Sequence, residues 1–366
     1  MTNVLRWIGL LGGFLVGGAV LFVLWASSGR LPDEKRAQIR TYATFPDTST
    51  PPESLTVTTY NVGYLSGMTN NEPVVRPNHL FYTNMEQVVG FLQRAQPDIV
   101  AAQEIDFGGA RVAHVHQLDT LAARLGYPAA AQSVNWDERY LPFPYGRPAV
   151  HFGRTLSGQA ILSRFPIRGH VRNVLPRPPQ PFYRDIFYLD RLAQVALVDL
   201  GGRPLVVINV HLEAFNTDTR KRQARRVNDL YRRLADRGIP ALLLGDFNST
   251  LSSAETVASD GPAGPAMQLL LEGTGLQAAV PPDAEITSGA TYPASSPTRQ
   301  IDYILYPPSV FRPSGVHRWC GAPNPPSDHC AVTATLRFKS SVGTWPGYEA
   351  LPSLQIRTGE QIRTGE

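Results

Sequence analysis

Apolar β-type runs in this chain repeatedly end on polar residues able to do chemistry, and that placement constrains the fold more than any other feature. Leu55 to Tyr60 alternates and is followed by Asn61; Ile99-Val100-Ala101-Ala102 leads into Gln103-Glu104; Val206 to Val210 leads into His211. Ala241 to Leu244 runs into Gly245-Asp246-Phe247-Asn248, and Asp302 stands within Ile301 to Tyr306. Asp328-His329 follows Pro325-Pro326-Ser327, a loop signature, just before the run Ala331 to Phe338. Strand ends can meet along one rim of a sheet even when far apart in sequence, so the pattern calls for a strand-rich core with a polar edge.

Further strands are expected at Ala160-Ile161-Leu162, Ala193 to Leu200 and Leu205 to Val210. Met85, Val88, Val89 and Leu92 recur at helical spacing, ended by Pro97-Asp98. A second helix is expected from about Arg220 to Arg237, with Val227, Leu230, Tyr231 and Leu234 on its buried face. Strands outnumber helices, and the helices are too widely spaced for a regular alternating parallel sheet. A two-sheet core flanked by helices fits better. Hydrophobic residues at 43% and charged residues at 17% supply enough apolar material for such a core and exclude a disordered chain.

The rim residues suit phosphoester hydrolysis. Carboxylate and amide oxygens hold a hard cation such as Mg²⁺, a carboxylate can orient and deprotonate water, and imidazoles carry charge or protons near neutral pH. Singly, Asn61 reads as a turn residue, Asn248 as a cap, His211 as a structural histidine and Glu104 as a surface carboxylate. Together at strand ends they read as one site.

Tyr60-Asn61, Gln103-Glu104, Asn209-Val210-His211, Gly245-Asp246-Phe247-Asn248, Ile301-Asp302-Tyr303 and Ser327-Asp328-His329 resemble, in order, the motifs of the endonuclease/exonuclease/phosphatase superfamily, and Gly158 to Arg164 is similar to it too. The resemblance covers about residues 55–338. It implies a four-layer α/β sandwich, with two central, mainly antiparallel sheets flanked by helices and the site at one edge. It also implies a metal, Mg²⁺ or alternatively Mn²⁺, held by Glu104 with Asn61 and Asp328. Asp246 and Asn248 would orient water and phosphate, with Asp246 as base. His329 would contact the scissile phosphate with its other nitrogen held by Asp302, and His211 would bind phosphate or protonate the leaving oxygen. Arg299-Gln300-Ile301-Asp302 departs from the inositol 5-phosphatase phrase, and Val62-Gly63-Tyr64-Leu65 departs from the exonuclease III-like one.

Trp7 to Ala26 carries no charge over 20 residues, roughly 30 Å of helix and one bilayer core. Residues 5–26 are therefore expected to anchor the chain, a cleaved signal ending near Ala26-Ser27-Ser28 being the alternative. Gly9, Gly13 and Gly17 share a helix face that could pair two anchors; ordinary transmembrane glycine content, and a monomer, is preferred. Arg30, Lys35, Arg36 and Arg40 beyond the span favour a cytoplasmic domain by charge alone. Two cysteines, Cys320 and Cys330, able to pair in an oxidising compartment, favour an extracytoplasmic one, which is the reading adopted. Residues 27–54 read as a linker, 55–338 as the catalytic domain, and 339–366 as a tail ending in a direct repeat.

Two stretches mix rings with arginines: Trp136 to Arg154, and Pro176 to Tyr188. Such mixtures stack on bases and pair with phosphates, or sit at a lipid headgroup interface; packing under Pro-rich loops is the plain alternative. The cationic run Arg220 to Arg237 could attract nucleic acid or anionic lipid, a solvated helix face being the commoner case. Three functions follow: a membrane-tethered phosphodiesterase or nuclease, a phospholipase C-like enzyme acting on sphingomyelin or another phospholipid, and a non-enzymatic binding module.

Overall fold

The computed structural model describes residues 2–45, 50–251, 265–280 and 289–340. Its strands are β1 (Ala37–Thr41), β2 (Ser54–Asn61), β3 (Ile99–Asp106), β4 (Ala129–Leu141), β5 (Gly153–Ser163), β6 (Ile167–Val174), β7 (Leu192–Asp199), β8 (Pro204–His211), β9 (Ala241–Asp246), β10 (Gln277–Ala278), β11 (Asp302–Tyr306), β12 (Phe311–Trp319) and β13 (Ala331–Phe338). The helices are α1 (Thr2–Ala26), α2 (Asn78–Ala95), α3 (Gln117–Leu125), α4 (Phe182–Asp185), α5 (Thr217–Ala235) and α6 (Pro265–Leu271).

Two sheets face one another. One runs β1-β4-β5-β3-β2-β13-β12 and the other β10-β11-β9-β8-β7-β6. Among the described residues each holds one parallel pair, β2 with β3 and β8 with β9, and is otherwise antiparallel. Helices α2 and α3 cover the outer face of the first sheet through Met85, Val88, Val89, Leu92, Leu118 and Leu121. Helices α5 and α6 cover the second through Val227, Tyr231, Leu234, Met267 and Leu270. Leu55, Val57, Ile99, Val207, Leu242 and Leu244 fill the space between the sheets. This is the layered sandwich expected from the sequence.

Local signals set the helix limits. Helix α2 starts after Pro77 and ends on Gln96 in the left-handed conformation. Helix α5 begins at Thr217, earlier than expected, because the Asn216 side chain accepts from Thr219 N–H (2.8 Å) and caps it. Arg220, read as one of a cationic row, is buried, with Nη1 donating to Glu213 O (2.6 Å) and Ala214 O (3.0 Å).

Residues 27–54 are only partly a linker. β1 pairs along β4 from Ala37↔Ser133 to Thr41↔Ala129, adding an edge strand to the first sheet, and β2 begins at Ser54. Five residues with one strongly apolar side chain, Ile39, carry too little periodicity to reveal an edge strand. Trp136 to Leu141 likewise belongs to β4, where Trp136, Leu141 and Phe152 pack together. The sequence-terminal repeat lies outside the described residues.

Between the sheets runs a seam of buried amides. Gln103 Nε2 donates to Asn209 Oδ1 (2.6 Å), and Asn209 Nδ2 donates to Ala102 O (3.1 Å) and Gln194 Oε1 (3.0 Å). Gln159 Nε2 reaches Asn209 O (3.0 Å), and Gln194 Nε2 reaches Ala131 O (2.9 Å). His170 extends the seam: its Nε2 accepts from Ser133 Oγ (2.9 Å) and Gln194 Nε2 (3.2 Å).

Burial pushes His170 down to about 3, against a smaller opposing contribution from the Gln38 backbone. The folded protein keeps this ring neutral, whereas the unfolded chain protonates it below about pH 6.5. Its stabilisation is therefore full above about 6.5 and declines as pH falls towards 3, at about 1.4 kcal/mol per pH unit. His170→Gln should flatten the decline between pH 6 and 4; parallel denaturation curves for both proteins across that range would refute the assignment.

Candidate active site

Every strand-end residue singled out from the sequence reaches one rim. Asn61 closes β2, His211 closes β8 beside Asp246 closing β9, and Asp302 pairs with Asp246 across β11 and β9. Gly245 has φ +144°, and a Cβ there would lie 2.0 Å from Val210 O. Only glycine lets β9 approach β8 closely enough to set Asp246 against His211. On β3 the register shifts between Ala102 and Ile105, and Glu104 sits in that bulge with φ +48°. The bulge turns the carboxylate towards the rim. Tyr64, Leu65 and Asn248 also hold positive φ; such strain gathers where a site is held against local preference.

Asp246, Asp302 and His329 form the inner cluster, all buried. Asp302 Oδ2 lies 3.0 Å from His329 Nδ1, leaving Nε2 facing Asp246 Oδ2 at 3.8 Å. Burial opposes charge on His329, but Asp302, Asp246 and Asp328 outweigh it and raise the imidazole well above its usual range. It is a cation at neutral pH. Burial pushes Asp246 up to about 7, with His329 pulling it down, Asp302 raising it, and Asn248 N–H and Asn61 Nδ2 lowering it. Asn248 N–H donates to Oδ1 (2.9 Å) and Asn61 Nδ2 to Oδ2 (3.0 Å). A carboxylate poised near neutrality and fixed from two sides is equipped to take a proton.

Glu104 and Asp328 form a second, outer pair. Asn70 Nδ2 donates to Glu104 Oε2 (2.9 Å) and lies 3.3 Å from Asp328 Oδ1. Burial pushes Asp328 up, His329 lowers it and Glu104 raises it again. One amide N–H thus stands between two carboxylates, as a cation would. Asn61 is nearby, but its nitrogen serves Asp246 and its oxygen accepts from Gly63 N–H (3.0 Å), so its visible part is to hold the Asp246 carboxylate. The atoms of Asp246, Asp302 and His329 also come within 4.8 Å of one another, a second arrangement able to hold a metal. There His329 Nδ1 is already engaged by Asp302. Oxygen-only donors at Glu104 and Asp328 match a hard cation better.

His211 bridges the two clusters, with Nε2 3.4 Å from Asp246 Oδ2 and 3.7 Å from Glu104 Oε1. Burial, then Arg191, then His329 hold its pKa well below the usual value. Its Nε2 accepts from Arg191 Nη1, so the ring is neutral and has no proton on that nitrogen to give. Of the two roles expected for it, protonating the leaving oxygen does not suit this geometry.

The clusters lie in a cleft of about 590 Å³, whose walls add Tyr64, Trp136, Phe143, Tyr188, Arg184 and Arg299. Arg299 lies over the Tyr292 ring (5.0 Å), and that ring is 4.9 Å from His329. Arg191, Asn70 and Arg299 were not foreseen. Arg191 precedes its strand, Leu192–Asp199, instead of closing it, so it lacked the pattern of a polar residue ending an apolar run. Asn70 carried none, being one polar residue in a polar turn.

The sequence model of the Endonuclease/Exonuclease/phosphatase family matches residues 58–329, and the chain belongs to that family, whose members are phosphoester hydrolases that typically use divalent metals. Comparison with curated protein sequences finds no match. Among solved structures, an endonuclease/exonuclease/phosphatase from Beutenbergia cavernae is 22% identical with TM-score 0.55, covering 78% of this chain and 72% of its own. A family protein from Bacteroides thetaiotaomicron is 18% identical, TM-score 0.52, covering 79% and 99%. The human Nocturnin catalytic domain, solved with bound sulfate, is 16% identical, TM-score 0.53, covering 85% and 100%. These likenesses establish the fold.

Asp302→Asn should release His329 from its orientation and remove the nearest charge that keeps it protonated. The expected loss on an activated phosphodiester is about 10²–10⁴-fold in turnover, with an unchanged far-ultraviolet spectrum. Turnover within threefold of wild type would refute the pairing.

Proposed function

We propose that the chain is a membrane-tethered, metal-dependent phosphodiesterase that uses water as its nucleophile. The supporting observation is the division of the rim into two parts: an inner Asp246–His329–Asp302 group and an outer Glu104–Asp328 pair, with Arg191 and His211 between them. Glu104 and Asp328 would hold a divalent cation, Mg²⁺ or Mn²⁺. Bound there, the cation would neutralise phosphoryl charge. Asp246, held by Asn61 and Asn248, orients the attacking water and accepts its proton. Cationic His329, fixed by Asp302, binds a phosphoryl oxygen where negative charge develops. Arg191, held against His211 and 3.8 Å from Glu213, supplies a second fixed positive charge. Asn248 Nδ2, 3.2 Å from Asp246 Oδ2 and 3.0 Å from Leu212 O, helps to hold that carboxylate.

Any accessible phosphodiester could enter on this chemistry. A nucleic-acid backbone is one candidate, supported by arginines and rings along the cleft, and a phospholipid headgroup is the other. The intact set of acids and imidazoles argues against a binding module without activity.

The purified full chain should hydrolyse bis(4-nitrophenyl) phosphate only with Mg²⁺ or Mn²⁺ present. Chelation should abolish the rate and added metal restore it. Glu104→Gln should raise the half-saturating metal concentration by at least the roughly 10–100-fold that loss of a ligand's supporting partner costs. Metal-independent turnover, or an unaltered metal requirement in the variant, would refute the assignment.

The helix Asn3–Ala26 is long and apolar enough to cross a membrane. Cys320 and Cys330 form a disulfide, with Cα atoms 4.2 Å apart, which supports a domain on the oxidising, extracytoplasmic side. Protease added outside intact spheroplasts should digest the domain; complete protection would place it inside.

A further inference from the structure

On the anchored, hydrolytic reading above, we infer that the mouth of the cleft rests on the bilayer and that the substrate is a phospholipid taken from that surface. Anchor and domain are joined by a short neck. A free tether of the expected 28 residues would let the domain wander roughly 30 Å from its anchor. The structure shows no such freedom. Only Ser27, Ser28 and Gly29 separate α1 from a fixed point: the N–H groups of Arg30 and Leu31 both donate to Asp137 Oδ2 (2.8 Å each). Asp137 is buried on β4, with its other oxygen held by Arg154. Gly29 lies so close that a Cβ would be 2.6 Å from that carboxylate and 3.0 Å from the Asp137 carbonyl. Above the neck, Ala26 is fully buried and the Phe22 ring packs on Tyr140 of β4 (5.9 Å). The last turns of the span are thus docked on the domain.

The same strand leads directly to the cleft. Leu141, next to Tyr140, and then Phe143 and Tyr145 line it, and at about 3.3 Å per residue Phe143 is roughly 10 Å along from the ring that touches the anchor. Around this mouth the protein exposes large rings: Tyr145 is 63% exposed and Phe215, also in the cleft wall, 87%. Phe182 and Tyr183, just before cleft residue Arg184, are 77% and 55% exposed. Exposed phenyl and phenol rings beside arginines are costly in water and well placed at a headgroup layer, where the ring meets acyl chain and the cation meets phosphate. Rings can also stack on bases; here they surround a cleft whose wall continues from the strand that touches the membrane span. With the span inserted, these rings would face the headgroup layer, and a lipid phosphodiester entering the cleft would meet His329 and Arg191 in its wall.

The test uses the full chain reconstituted in vesicles of phosphatidylcholine and phosphatidylglycerol. Phe182→Cys can carry a single environment-sensitive nitrobenzoxadiazole label, because both native cysteines are disulfide-bonded. Its emission should shift to the blue on reconstitution; an emission equal to that of the label in water would overturn the docking. The double variant Phe182→Ala, Tyr183→Ala lies outside the cleft wall. It should lose about tenfold in headgroup-phosphate release from bilayer phospholipid while bis(4-nitrophenyl) phosphate turnover stays within twofold. Cleavage of the soluble diester, DNA or RNA with no phospholipid release would overturn the substrate assignment and leave the hydrolase reading standing. Inertness towards every diester, the soluble one included, would instead remove the hydrolase reading and the substrate assignment with it, while the label still decides the docking.

Discussion

The active rim exists only because two sheets hold a fixed register, and the buried amides of Gln103 and Asn209 are what fix it. Apolar packing between sheets is nearly indifferent to a small slide, since Leu, Val and Ile surfaces have no preferred partner. Amides are not indifferent. Moving one sheet by a residue would strand Gln103, Asn209, Gln159 and Gln194 away from their acceptors, at about 1–3 kcal/mol for each buried group left unpaired. Gln103 is also the immediate neighbour of Glu104, and Asn209 is two residues before His211. The residues that lock the sheets together therefore sit beside the ones that do chemistry on each.

That arrangement explains why the site divides as it does. Glu104, Asn61 and the loop carrying Asp328 and His329 come from the first sheet; His211, Asp246 and Asp302 come from the second. The Asp302–His329 ion pair and the Asn61–Asp246 hydrogen bond both cross between them. Charge is balanced on both sides of the junction: a cationic imidazole among carboxylates spans it, and a neutral imidazole lies against an arginine within the second sheet. Neither histidine could keep its protonation state if the sheets separated.

Much of this was legible in the sequence because strand ends announce themselves. An apolar run followed by Asp, Asn, His or Glu places the polar group at a rim, and six such phrases in family order defined both fold and site. What escaped lacks that signature. β1 is five residues at an edge, β4 reads as Ala, Ser, Asn and Trp rather than an apolar run, and α3 is nine residues long. Asn70 reaches the carboxylates from a turn, through tertiary contact alone. The neck was misread as wholly free for the same reason: its restraint comes from Asp137, more than a hundred residues away, and no local pattern encodes that distance.

The covalent link between Cys320 and Cys330 encloses the segment that carries Asp328 and His329, His329 being directly bonded to Cys330 in sequence. A ring closed over a separation of 10 residues removes conformations from the unfolded chain worth on the order of 3 kcal/mol in the chain-entropy description. With the bond formed, Asp328 and His329, which lie outside the strands, are confined even in the unfolded chain, so placing them at the rim forfeits less freedom on folding.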